Sequence, residues 1–178
     1  VPALMPVRKP DSEAVSDGGF PSGHTNAAYL ASFALADAAP QYQDLLIANA
    51  AEIGDSRIVA GMHSSLDVIG GRVLATALAA ASLNDPAHAE LRAAASGQAQ
   101  ELLATLPTTA SGSAPADDDY DLRAQEYRER MTYGLPATGA TGQAARVPAG
   151  AEVLLEHRLP YLDAGQRPRG GDRRPDAV

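Results

Sequence analysis

The sequence has 178 residues, enough for one domain of ordinary size with room for an appendage. Its 22 acidic and 14 basic side chains leave a net charge of −8, which argues against a general nucleic-acid binder or a protein held on anionic membranes. There is no Cys, so disulfides, thiolate metal sites and Cys nucleophiles are excluded. Aromatics make up 4% of the chain and 37 residues are Ala, which predicts closely packed helices with a core of Ala, Leu, Val and Ile.

Residues 1–19 read as a Pro-containing loop. Pro21-Ser22-Gly23-His24-Thr25 is a turn running into a first helix, with Thr25 a suitable N-cap and Ala/Leu-rich sequence continuing to Ala39. Pro40 stops that helix and suits the first turn of a second over residues 41–60, which Gly61 ends in a left-handed cap. Ser64-Ser65-Leu66-Asp67 has the form of a capping box and opens a third helix that runs to about Leu83. Gly70-Gly71 inside that helix costs about 1 kcal/mol per Gly relative to Ala, which close helix packing would explain. A fourth helix is predicted over residues 87–106. The segment 107–119 then reads as a linker rich in Thr, Ser, Gly, Pro and Asp. Beyond it, residues 121–133 predict a charged helix in which Glu126 and Arg130 are spaced to pair, and residues 152–162 a short helix. The Arg/Gly/Pro-rich end after Gly165 is expected to stay disordered.

No period-2 pattern marks a strand. The fold class is therefore all-α: a helical domain over residues 1–106, a linker over 107–119 and a partly helical, loosely structured extension over 120–178. That extension has too few large apolar residues to fold alone and is expected to dock through residues 152–162, Tyr127 and Met131. The most apolar stretches, residues 26–39 and 73–83, fall short of the roughly 20 residues needed to cross a bilayer, so no membrane span is expected.

Two of the four His lie in informative surroundings. His24 follows Ser22 and Gly23 at a turn before a helix, where free backbone N–H groups and the helix dipole attract anions. His63 stands between Arg57, whose fork-shaped cation suits phosphate oxygens, and Asp67, four residues on. A helical turn would bring the Asp67 carboxylate to the imidazole, fix its tautomer and leave the other ring nitrogen as nucleophile. Asp67 also serves as the third residue of the capping box, and the two roles are compatible. His88 and His157 lack such surroundings. The run Asp117-Asp118-Asp119 does not converge on a point, so no metal site is predicted.

Pro21-Ser22-Gly23-His24 followed by Ser56-Arg57-x3-Gly61-x-His63-x3-Asp67 resembles the second and third signature motifs of the type 2 phosphatidic acid phosphatase superfamily. That superfamily includes bacterial class A acid phosphatases, lipid phosphatases and vanadium-dependent haloperoxidases. The resemblance, over roughly residues 20–85, is nearest to the soluble class A enzymes, and it implies their helical-bundle fold. It further implies an acid phosphatase that hydrolyses phosphate monoesters through a phosphohistidine. His63 would be the nucleophile, Asp67 its orienting carboxylate and His24 the acid for the leaving group, while Arg57, the Ser22 hydroxyl and the Gly23 amide would hold the phosphoryl oxygens. No cofactor is implied, and the partner is a small phosphorylated substrate. Periplasmic or secreted location follows from the same resemblance; homo-oligomerisation is left open. The alternatives are a vanadium haloperoxidase, with vanadate as cofactor on His63, and an inert helical module.

One departure stands out. The family's first motif, K-x6-R-P, has its sole counterpart in Arg8-Lys9-Pro10, with Lys9 in the Arg position and Pro2 in the Lys position. Lys keeps a charge but loses the fork. The expectation is that the true first motif lies upstream of Val1 and that the present chain, lacking it, is a weak catalyst.

Overall fold

The computed structural model describes residues 19–106, 118–136, 139 and 148–155. Arg8, Lys9, residues 107–117 and the sequence after Leu155 lie outside the described residues; the last two residues of the expected 107–119 linker, Asp118 and Asp119, are helical instead. Among the described residues there are five α-helices: α1 Gly23–Ala38, α2 Gln43–Val59, α3 Ser65–Asn84, α4 Ala89–Thr105 and α5 Asp118–Thr132. Short 3₁₀ turns at Pro40–Tyr42, Pro86–His88 and Ala151–Leu155 accompany them. There is no strand among the described residues, as the absence of period-2 patterning predicts.

The breaks fall where the sequence puts them, with two refinements. The N-cap of α1 is Ser22, not Thr25: the Ser22 side chain accepts from the Thr25 amide, so α1 begins at Gly23. Both residues can cap a helix, but Thr25 turns inward, where it is fully buried. Pro40 opens a 3₁₀ turn rather than α2 itself. Gly61 adopts φ 67°, the left-handed end of α2, and Ser64 and Asp67 form the expected reciprocal capping box at the head of α3.

α1 is the hub, packed against α2, α3 and α4. Its buried residues Thr25, Tyr29, Ser32 and Ala36 repeat at helical spacing on one face, as do Val68, Gly71, Ala75 and Ala79 of α3. The core consists of Tyr29 with Ala50, Ala51 and Ala75, flanked by Phe33, Leu30 and Ile47. Alanines at 1% and 0% exposure in facing positions let the helices approach closely, as the Ala-rich composition predicts. α4 buries no residue of its own. Arg92 holds it instead, with Nε and Nη2 forked onto the Asp37 carboxylate of α1 and Nη1 on the Leu83 carbonyl.

One sequence expectation fails here, and one helix is longer than its apolar run suggests. α3 is continuous for 20 residues and is long and apolar enough, by length and composition, to cross a membrane. The shorter estimate missed it because Asp67 and Arg72 interrupt the apolar run without interrupting the helix. Tyr127 and Met131 do not dock α5, being 59% and 43% exposed. α5 is held by polar groups: Arg130 Nε and the Tyr133 hydroxyl both reach the Asp55 carboxylate of α2, and Arg72 Nη1 of α3 donates to the Arg130 carbonyl. Glu126 sits 3.7 Å from Arg130, the pair its spacing predicts. The turn Ala151–Leu155 docks as expected, with Gln43 donating to the Leu154 carbonyl and Asn84 to the Gly150 carbonyl.

Candidate active site

Three small residues bring the two motif segments together. Gly71 of α3 leaves room for the turn before α1: a Cβ there would lie 2.6 Å from the Ser22 carbonyl oxygen and 3.0 Å from the Thr25 Cβ. Gly54 of α2 faces Val68 and Thr25 in the same way, at 3.0 and 3.4 Å. Gly70 takes the ring of Phe20 where a side chain would stand. The close-packing explanation of Gly70-Gly71 is therefore what the structure shows. At this three-helix junction the Ser22 amide donates to the Asp67 carbonyl at 2.9 Å, tying the Ser22-Gly23-His24 turn to the first turn of α3.

The segment between α2 and α3 is set by one carbonyl. Arg57 O accepts from both Met62 N, at 3.0 Å, and His63 N, at 3.3 Å, while Gly61 supplies the positive φ that the reversal needs. His63 thus lands beside the head of α3, with Nδ1 3.6 Å from Asp67 Oδ2 and both side chains largely shielded, at 16% and 14% exposure. That distance is outside hydrogen-bond reach, and His63 Nδ1 is buried without a hydrogen-bond partner among the described residues. Asp67 Oδ2 meanwhile accepts from the Ser64 amide at 2.7 Å. The carboxylate is therefore fixed by the cap and adjacent to the imidazole at once. Gly19 covers the pair: a Cβ on it would stand 3.5 Å from each of those two atoms.

The remaining candidates differ in how open they are. Gly23 and His24 are exposed at the start of α1, where the first amides of a helix have no carbonyl within the helix to bind. The Ser22 hydroxyl faces inward. Ser22 is fully buried and its Oγ accepts from the Thr25 amide and hydroxyl, at 3.3 and 2.9 Å, so its observed work is capping. Arg57 is partly buried, with Nε and Nη2 on the Ser56 hydroxyl, and pairs with no carboxylate among the described residues. Ser56 Oγ in turn donates to the Ile53 carbonyl, so the guanidinium rests on a hydroxyl that is itself anchored. No group of His, Asp or Glu residues suited to a metal ion occurs among the described residues. His88 is exposed and bonded to Ser82.

Sequence reasoning missed Gly19, whose closeness to His63 and Asp67 had only the Asp17-Gly18-Gly19 run as a signal. It also missed Asp55, which precedes Arg57 by two residues and binds the C-terminal helix.

Comparison with known proteins bears on the segment that carries both motifs. A family model described as the PAP2 superfamily matches residues 2–89, which include both motif segments. A non-specific acid phosphatase of Providencia stuartii is 31% identical over 70 residues, a stretch amounting to 39% of this chain and 28% of that protein. The match thus spans under a third of that relative's length. No solved structure gives a significant match. The segment that carries His24, Arg57, His63 and Asp67 is thus similar to the PAP2 superfamily.

Proposed function

We propose that the chain contributes the catalytic groups of a phosphoric monoester hydrolase of the acid phosphatase kind, working through a phosphohistidine. The observation that carries this reading is the hydrogen bond from Ser22 N to Asp67 O, which puts the α1 turn and the His63–Asp67 pair at one end of the bundle. Phosphoryl transfer asks mainly for positioning and for donors around the equatorial oxygens. The open amides of Gly23 and His24, aided by the α1 dipole, supply donors, and Arg57 supplies a permanent cation. Ser22 acts through the backbone it caps, holding those amides in place.

In this mechanism Asp67 draws the Nδ1 hydrogen of His63 and leaves Nε2 to attack phosphorus. The phosphorus–alkoxide bond breaks as the phosphorus–nitrogen bond forms, and His24 gives its proton to the departing oxygen. Water, losing its proton to His24, then attacks the phosphohistidine and frees inorganic phosphate and His63. No step requires a metal. A periplasmic or secreted setting accompanies the reading, in keeping with the class A resemblance.

The test is hydrolysis of p-nitrophenyl phosphate and of an alkyl phosphate. Turnover should survive chelator and be inhibited by vanadate, and His63→Ala should lower it by roughly 10³-fold or more. His24→Ala should cost about 10²-fold on the alkyl ester and far less on the nitrophenyl ester, whose leaving group needs little protonation. Equal losses on both substrates would remove His24 from the acid role, and unchanged turnover in His63→Ala would remove the mechanism. Vanadate-dependent bromination of a phenol dye by peroxide would replace the reading with a haloperoxidase.

A further inference from the structure

The last turn of α2 faces two ways. The Arg57 guanidinium rests on the Ser56 hydroxyl, and the Arg57 carbonyl holds Met62 and His63. Asp55, two residues earlier and so on a different side of the helix, turns to α5. Both of its carboxylate oxygens are taken: Oδ1 by the Tyr133 hydroxyl at 2.6 Å and Oδ2 by Arg130 Nε at 2.8 Å. Arg72 of α3 closes the loop by donating to the Arg130 carbonyl at 3.2 Å. α2 and the end of α5 thus meet at one carboxylate two residues from the phosphate-binding candidate, and α3 joins them through the Arg130 carbonyl.

The backbone at Tyr133 indicates how firmly this contact is specified. Tyr133 follows the last residue of α5 and adopts φ 48°, the left-handed region that usually calls for Gly at this position. A bulky side chain is disfavoured there by the closeness of its Cβ to the following carbonyl, and such strain persists only where surroundings over-determine it. The determining contacts are the hydroxyl on Asp55 and the Tyr133 amide on the Glu129 carbonyl, at 2.6 Å. Burial, and then the hydrogen bond and charge of Asp55, raise the pKa of the Tyr133 hydroxyl, so it stays a donor. Burial opposes the charge of Arg130, but Asp55 more than offsets it and the guanidinium stays fully charged. The larger apolar residues of α5 are not the anchor, since Leu122, Tyr127 and Met131 are all between 43% and 59% exposed.

We propose that Asp55, Arg130 and Tyr133 form a brace through which the C-terminal helix fixes the last turn of α2, and with it Arg57 and the His63 turn. Arg130 and Tyr133 are then positioning residues that never touch substrate. The brace sets the rotation of the α2 turn, and it neutralises a carboxylate that would otherwise repel a phosphate dianion arriving at Arg57. Its relevance to catalysis rests on the phosphatase reading above; its effect on the His63 turn does not.

Amide hydrogen exchange on the full chain separates the two. In Arg130→Gln and Tyr133→Phe, the Met62 and His63 amides, which hang on Arg57 O, should exchange roughly threefold to tenfold faster than in the unaltered protein. The α4 amides beside Arg92 should exchange as before. Tyr133→Phe removes only a hydroxyl and decides the matter if Arg130→Gln loosens the whole bundle. Faster exchange confined to α5, with Met62 and His63 unchanged, would overturn the brace. With inorganic phosphate added, Met62 and His63 should be protected in the unaltered protein and several-fold less protected in the variants. No protection in any form would refute the phosphate site while leaving the ligand-free comparison to judge the brace.

Discussion

Gly71 is the residue on which the joining of the two motifs depends. Its replacement by Ala would gain about 1 kcal/mol of helix propensity but would place a methyl 2.6 Å from the Ser22 carbonyl oxygen, a backbone atom locked by two hydrogen-bonded segments. Overpacking of that kind costs about 1–3 kcal/mol or more, so the clash wins. Gly71→Ala should lower the melting temperature and reduce phosphatase activity together. Gly97→Ala in α4, where a Cβ would meet nothing within 4 Å, should raise the melting temperature slightly. A neutral Gly71→Ala would mean that the α1 turn does not press on α3.

Tyr133 gives a prediction in pH. Its hydroxyl has a pKa raised above the ordinary phenol value of about 10, so the folded state holds a proton that the unfolded chain releases first. A group of this kind contributes stability that is complete below pH 10 or so and is lost as pH rises toward its folded pKa. Tyr29, buried against Arg72 and within reach of Arg130 and Asp55, is shifted in the same direction, chiefly by burial. The protein should therefore lose stability from about pH 10 upward, and Tyr133→Phe should flatten that loss in part, with Tyr29 accounting for the remainder. Thermal melts from pH 8 to 11 check this; parallel curves for the two proteins would deny the Tyr133 contact.

At the level of elements, much of the bundle was legible because its signals are local. Pro40, Gly61 and Pro86 act on the backbone within a residue or two, and a capping box is complete in four residues. The choice between Ser22 and Thr25 as cap was not legible, since either side chain can cap and only tertiary burial of Thr25 decides. The attachment of α5 was illegible for a different reason. Arg130 and Tyr133 lie 75 and 78 residues from Asp55, and polar contacts carry no periodicity. The same holds for α4, whose fork from Arg92 to Asp37 spans 55 residues. With no residue of α4 buried, that fork should dominate its docking. Arg92→Ala should leave α1–α3 folded and make residues 89–105 the first site of cleavage in limited proteolysis. An α4 that resists protease in this variant would show that apolar contacts hold it.

For the molecule as a whole, the candidate site was half legible. His63, Asp67, Arg57 and His24 announced themselves through spacing, and the structure puts the Asp67 carboxylate, on the first turn of α3, 3.6 Å from the imidazole of His63 just before the cap. What spacing could not give was the partner of each group. Ser22 turned inward to cap, Gly19 came to cover the His–Asp pair, and Asp55 linked the site's rear to the C-terminal helix. The account as a whole stands on His63 becoming covalently phosphorylated. Rapid acid-free quenching of the full chain with a ³²P-labelled phosphate monoester tests that step directly. The label should be stable in alkali, lost in acid as a phosphoramidate is, map to the peptide bearing His63 and be absent from His63→Ala. Label on another residue, or label retained in His63→Ala, would contradict the account.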